Sequence, residues 1–517
     1  MRYGCSPVSD NGEEYSTVQK WVVDSDPSFE VEIDDGGLGK FVAVSGALAV
    51  KVIPDEPAYL HVCVPSVVKR GEDFPIRFTP LDRFGNKVAD WVTDWESIDL
   101  SCSGMETEQC ISQERIEARL TQSGTHHIRL SVRNLIDGTT LSGVSNPCKV
   151  SSNEAQRVFW GDLHVHSTVS DGAGSVEFCY DYAKDVSMLD FAAVTDHDFE
   201  LHHAWFTRRH QRISDAQWER SCAAAKDFTL PGEFVAFAAY EWTGRPYGDK
   251  CVYFAGDVNL PIFRCEDTEY STPEQLWAAL ETIGPEKVMT ISHTTTHEFM
   301  GSDWSCSDER FENLVEIYSM HGSSESHDGL RSIQGSVGGR SVKDALGKGY
   351  KLGFVAGGDM HSSQPGNPRL SRGPYRTLRY RAGLTGVICK GRTREEIFRA
   401  LKLRRCYATT GERMILDFKI NQTEMGDMLD LHQPDERLRF HIFVAGTAPL
   451  QKVEIIANGE TYREVDVYGD SMEVKCEFDA QATISPQGFP TYYYLRVIQN
   501  NGEMAWSSPI WVRMKTR

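Results

Sequence analysis

No Cys-x-x-Cys pair occurs anywhere in this chain of 517 residues, although it carries 13 cysteines. An odd, unpatterned set running from Cys5 to Cys476 suits reduced thiols in a cytoplasmic protein better than a disulfide framework. Positive charge is also in short supply. Lys and Arg together number 54 against 74 Asp and Glu, for a formal net charge of −20. That balance opposes sequence-independent binding to a nucleic-acid backbone or to an anionic membrane surface. It leaves room for a small anionic substrate, because a metal cluster sets its own local field. No run of about 18 apolar residues is present, so no membrane-spanning helix is expected. The opening stretch MRYGCSPVSDNGEEYS has acidic residues and no apolar centre, so it is not expected to act as a secretory signal. Neither a G-x-S-x-G elbow nor a P-loop is found, which argues against a serine hydrolase or a nucleotide triphosphatase. Repeats and low-complexity tracts are missing too.

What remains is an ordinary globular composition, 40% hydrophobic and 25% charged, on a chain long enough for about three domains. Residues 1–155 read as β-rich, with short β-branched or aromatic runs at 41–44, 59–64, 74–78 and 127–132. Turn signals such as Arg70-Gly71-Glu72-Asp73 and Phe84-Gly85-Asn86-Lys87 separate them, the rhythm of a sandwich. The tract 151–154 marks a boundary. From Val158 strands and helices alternate, the pattern of an α/β domain. Strands are expected at 159–165, 191–195, 234–240, 288–292, 314–318 and 354–357, and helices at 175–188, 200–226, 273–282 and from an N-cap at Thr393 to 403. From Leu416 the chain reads as β again, at 439–444, 453–456, 472–478 and 492–497, with hairpin signals at Asn458-Gly459 and Asn501-Gly502. The expected domains are therefore 1–155, 156–411 and 412–517.

Chemistry concentrates in the middle part. Within FWGDLHVHSTVSDG, residues 159–172, His164 and His166 sit two apart. On a strand they share a face, and Asp171 can close the same pocket. Imidazole and carboxylate are the usual ligands of zinc, manganese or iron. The expected strands then end, in turn, on Asp196-His197, Glu241, His293, His321 and Asp359 with His361. Ligand chemistry in α/β folds sits at such C-terminal strand ends. Six strands each delivering His, Asp or Glu to one edge is a pattern that chance rarely produces. Asp196 reads better as a residue behind the ligands than as a ligand. Glu241 suits a bridging carboxylate, with an ion pair to a nearby cation as the other reading. Glu316, inside its strand, is the rival of His321. His202, His203, His210 and His297 read as solvated, and His126, His127 and His441 as structural.

The order H-x-H, Asp-Gly, T-D-H, strand-Glu, S-H and G-D-M-H resembles the PHP family, named for polymerase and histidinol phosphatase, over roughly residues 158–411. The flanking segments resemble those of a large bacterial branch that opens on GDLHVHS and ends on a sequence like AWSSPIWV, here 505–512. The resemblance implies a distorted seven-stranded β/α barrel, here flanked by N-terminal and C-terminal β-sandwich-like domains. It implies that His164, His166, Asp171, His197, Glu241, His293, His321, Asp359 and His361 hold two or three divalent ions (Zn, Mn or Fe), with Glu241 bridging. So many ligands exceed the four that close a structural zinc and leave positions for water and substrate. The expected activity is hydrolysis of a small phosphate ester by a metal-bound hydroxide, with Glu241 and Asp359 at the catalytic centre. Arg245, Arg369 and Arg413 lie in loops where they could hold non-bridging oxygens. A C–N or C–O hydrolase is the second reading, and an inactive barrel binding a ligand or glycan the third.

Overall fold

The computed structural model describes residues 54–88, 90–102, 105–108, 115–152, 156–199, 213–369, 380–433, 436–482 and 489–515, and four two-residue strands between 28 and 49. Of the expected strand at 41–44, only Val42–Ala43 is described, and it is a strand. Across the described residues the molecule is mostly strand, with few helices and mixed sheets. No described helix is long and apolar enough to cross a membrane.

The N-terminal part holds a four-stranded antiparallel sheet, in the order Tyr59–Cys63, Asp73–Leu81, Arg115–Leu120, Met105–Glu108. Strand Asp73–Leu81 alternates as a half-buried strand should. Phe74, Ile76 and Phe78 point into the core, where Leu130 and Val132 of Arg129–Arg133 meet them.

The central sheet carries β1 (Arg157–Asp162), β2 (Phe191–Val194), β3 (Val235–Trp242), β4 (Lys250–Phe254), β5 (Val288–Ser292), β6 (Leu314–Ser319), β7 (Gly353–Ala356), β8 (Leu384–Cys389) and β9 (Cys406–Thr409). β1, β2 and β3 run parallel, β4 runs against β3 and β5, and β5, β6 and β7 are again parallel. Strands β2 to β7 are buried at every position, as apolar runs covered on both faces must be. The six expected parallel strands are all present, and β4 was not expected.

A closed seven-stranded β/α barrel is not what the described ladder forms. One edge of β1 is already taken by β8, antiparallel from Arg157 to Gly161. β7 therefore reaches only the continuation of β1, at the single bridge Val165–Met360. Helices are sparse: α1 (Val176–Asp181), continued by a π-helical turn to Val186, α2 (Asp215–Phe228), α3 (Pro273–Leu280), α4 (Val342–Gly347) and α5 (Arg394–Lys402). The first half of the helix expected at 200–226 lies outside the described residues, as do His202, His203 and His210. The expected Thr393 cap is formed, its hydroxyl accepting from the Glu396 amide at 3.2 Å.

Both flanks attach to this sheet. Gln364 Nε2 donates to Asn86 Oδ1 at 2.9 Å and Tyr182 Oη to the Gly85 carbonyl at 2.6 Å. Gly85 adopts φ +89°, and a Cβ there would lie 2.3 Å from Asn367 Oδ1, so the turn needs glycine twice over. At the other end the ladder runs from β9 directly into Met504–Ser507, then Thr491–Gln499 and Leu450–Ala457, crossing the expected 411/412 junction. Asn458-Gly459 makes the expected two-residue turn, both at positive φ. A second C-terminal sheet centres on Arg437–Ala445, whose Phe440 stacks on Phe418 and Phe478 and meets Tyr493 edge-on.

Candidate metal centre

The centre forms where β1, β2, β3, β5, β6 and β7 end. Asp162, the last residue of β1, is fully buried and accepts from the backbone amides of His164 (3.1 Å), Gly358 (2.7 Å) and Gly366 (2.8 Å). It ties the H-x-H segment to the loop after β7. That loop has no room for side chains: a Cβ on Gly358 would stand 2.5 Å from Asp162 Oδ2, and one on Gly357 2.4 Å from Glu316 Oε2. Asp359 and Thr294, which directly follow Gly358 and His293, take φ of 51° and 48°. Non-glycine residues in that region are held there by their surroundings, and such strain gathers at functional sites.

Glu241 occupies the middle. Its Oε2 lies 3.5 Å from His164 Nε2 and 3.4 Å from His166 Nε2, and its Oε1 3.3 Å from both His197 Nδ1 and His293 Nε2. Asp359 Oδ1 stands 3.1 Å from His166 Nε2, and its Oδ2 2.9 Å from His321 Nε2. Asp171 is 3.2 Å from His361 Nε2 and 3.8 Å from His197 Nε2. The imidazoles of His166 and His361 stack at 4.3 Å, those of His166 and His197 at 4.5 Å. Three groups emerge whose ligand atoms lie within 4.8 Å of one another: His164, Glu241, Cys251 and His293; His166, Asp171, His197 and His361; and His164, His166 and Asp359.

These donors suit a cation. Among the described residues His164 Nε2, Glu241 Oε2 and His293 Nε2 are buried with no hydrogen-bond partner, and a buried polar atom left so is costly unless something else satisfies it. The charges agree. Burial opposes ionisation of Glu241 and Asp359, yet the surrounding imidazoles outweigh it and hold both well below the usual carboxylate range. In turn burial works against the charged rings, but Glu241 and Asp171 lift His197 to about 10, and Asp171 lifts His361 to about 9.

A supporting layer orients the rings. Glu316 meets His164 Nδ1 at 3.1 Å, and Thr243 Oγ1 meets His197 Nδ1 at 3.0 Å. Glu316 thus stands behind His164, whereas its rival His321 faces Asp359. Asp196 accepts from the amides of Ser167 and Ser170 and from both hydroxyls, which places it behind the cluster, as its sequence position suggested.

All nine expected ligands are brought into one cluster. The arginines divide. Arg245, beyond the end of β3, is partly exposed with Nη2 3.8 Å from buried Asp249. Arg413 departs from expectation: its Nη2 donates to the carbonyls of Ser187 (2.7 Å) and Met188 (3.0 Å). It follows β9, two ladder positions from β1 across β8, and with Arg369 it lines a cavity that shares no wall residue with the three groups. Sequence reading missed Cys251 and Asp249. Cys251 pairs directly opposite Glu241 in the β3–β4 ladder and so shares its face, a signal readable only once β4 is known. His297 accepts from the amides of Phe299 and Met300 and His441 faces Glu477 at 3.0 Å, outside the cluster.

A family model described as "Protein of unknown function (DUF3604)" matches residues 186–334 and 371–427. Among solved structures, a two-domain protein of Bacteroides vulgatus ATCC 8482, described as containing a predicted PHP-like metal-dependent phosphoesterase, is 13% identical. The similarity covers 68% of this chain and 95% of that one at a TM-score of 0.36, too low to define a shared fold. An uncharacterised protein of Chlamydia muridarum is 28% identical over 514 residues, covering 94% of this chain and 78% of its own. A counterpart in Chlamydia pneumoniae is 30% identical over 484 residues, covering 88% of this chain and 73% of its own. This chain belongs to the family of that Chlamydia pneumoniae protein.

Proposed function

We propose that this protein is a metal-dependent hydrolase of the PHP type that acts on a small phosphate ester, with His164, His166, Asp171, His197, Glu241, His293, His321, Asp359 and His361 as ligands. The observation that carries the reading is the trio of buried, partnerless ligand atoms on His164, Glu241 and His293, set among three overlapping donor groups. Divalent ions held there would supply Lewis acidity toward a phosphoryl oxygen and toward water. The soft Cys251 sulfur in one group favours zinc or iron.

The chain's own residues divide the remaining work. Glu241, in reach of four imidazoles, would hold ions together with them. Glu316 and Thr243 fix ring orientation, and the near-complete burial of His164, His166 and Glu241 excludes bulk water from that side. The side chains of His321 and His361 are 21% and 16% exposed, and a substrate would reach the ions past them. Arg245 stands in the loop after β3, where its guanidinium can hold a non-bridging oxygen. A cytoplasmic location and a small anionic substrate, with neither nucleic acid nor membrane as partner, belong to the same proposal.

The test is elemental analysis of protein purified without chelator, joined to a panel of phosphomonoesters and phosphodiesters. Bound zinc, manganese or iron is expected, with turnover that chelation removes and that His164→Ala and Asp359→Ala abolish while circular dichroism is unchanged. Absence of metal uptake would overturn the reading. Turnover of amides or ethers alone would move it to C–N or C–O hydrolysis.

A further inference from the structure

Arg369 and Arg413 fail to join the metal cluster, and the place they occupy instead is a cavity of about 290 Å³ between the N-terminal sheet and the loops after β7 and β9. Among the described residues, three guanidinium groups line it, Arg369, Arg381 and Arg413, against a single carboxylate, Glu412. That carboxylate is taken by Arg381, whose Nη2 lies 2.6 Å away, and Glu503 lies 3.6 Å from the same nitrogen. Arg413 is 8% exposed, and its bonds go to two neutral carbonyls through Nη2 alone, leaving Nε and Nη1 without an acceptor among the described residues. Arg369 stacks over the Tyr59 ring, and its buried Nε has no partner among the described residues. Neither has a carboxylate partner among the described residues.

Buried charge that is unpaired is costly, and proteins pair it or bind a counter-ion. The fourth basic side chain on this wall, His61, adds no charge: burial and the neighbouring Arg413 push it down to about 3. Burial is the larger cause and Arg413 adds to it, so the wall's positive charge rests on the three arginines. Arginine presents a planar fork that matches oxyanions bidentately. The volume sits at the small end of ligand pockets, roughly 300–1,000 Å³, which excludes a polymer and admits a molecule of a few heavy atoms.

We infer that this cavity is a second binding site, for a small molecule with a phosphate or carboxylate head, held by Arg369 and Arg413 and separate from the metal cluster. It stands independently of the proposed hydrolase activity, since none of its lining residues is among the candidate ligands.

Calorimetric titration of the purified full chain with inorganic phosphate, and separately with succinate, tests it. Saturable binding of at least one anion is expected, weakened about tenfold or more in Arg369→Gln and in Arg413→Lys. The same binding is expected to persist in His293→Ala, which disturbs only the metal cluster. No binding of either anion at millimolar concentration overturns the inference. So does equal affinity in wild type and the arginine variants, or loss in His293→Ala alone, which would place the anion on the metal centre. Arg369 is partly exposed, so Arg369→Gln decides the question even if the more buried Arg413 variant fails to fold.

Discussion

His164 is held at one ring nitrogen and open at the other: Glu316 meets Nδ1, and Nε2 has no hydrogen-bond partner among the described residues, facing Glu241 and Asp359 across 3.5 Å. A carboxylate behind an imidazole fixes its tautomer and raises its basicity toward a cation. Glu316→Gln is therefore expected to lower metal affinity by roughly 10–100-fold without emptying the site, measured by competition with a chromogenic chelator. A variant that binds metal as wild type does would remove Glu316 from the site's support. Two other histidines make a pH prediction. Burial, with Arg413 for His61 and His321 for His297, lowers them to about 3 and about 4, against 6.5 when unfolded. The unfolded chain then holds more protons between those values, so stability falls as pH drops through that window and recovers as it rises. His197 and His361, raised, act in the opposite sense, so the test is by difference: between pH 7.5 and 5.0 the urea midpoint of His61→Gln should lose less, or gain more, than that of wild type. An unchanged difference would mean that His61 is not held neutral.

At the scale of elements, the strands that carry the ligands were legible because each is a short apolar run closing on His, Asp or Glu, as Phe191–Val194 closes on Asp196 and His197. β4 was not legible. It opens on Lys250, which composition assigns to the surface, yet Lys250 is buried and donates at 2.7 Å to both Ser292 and Glu312. With β4 went Cys251, whose membership in the site depends on the cross-strand register. Arg413 misled for a related reason: nearness in sequence to a motif strand says nothing of which neighbour that strand takes in the sheet. The barrel expectation failed at β8, whose antiparallel claim on β1 no local pattern announces. The loop after β7 gives this scale its prediction. A Cβ on Gly357 would press on Glu316 Oε2 at 2.4 Å and His164 Cβ at 2.6 Å. Gly357→Ala should cost about 1–3 kcal/mol in unfolding free energy and lower metal content, read by denaturant melts and elemental analysis. A variant matching wild type in both would show that the loop yields freely.

At the scale of the whole molecule, the flanking sheets are attached rather than tethered. Trp160 Nε1 of β1 donates to Ser66 Oγ at 2.9 Å, and β9 shares its ladder with Met504–Ser507. Limited proteolysis is accordingly expected to leave both junctions, 151–156 and 411–414, resistant under native conditions. Clean release of a stable, active 156–411 fragment would show instead that the flanks are independent modules.

The single bridge Val165–Met360 has one more implication. His164 and His166 stand on one side of that seam and Asp359 and His361 on the other, so ions shared among them would reinforce a seam otherwise held by one bridge and the backbone bonds of Asp162. Ligand binding to the native form alone adds to its stability by mass action. In a cell starved of metal this protein would then be more open to proteases, and its abundance as well as its turnover would follow metal supply.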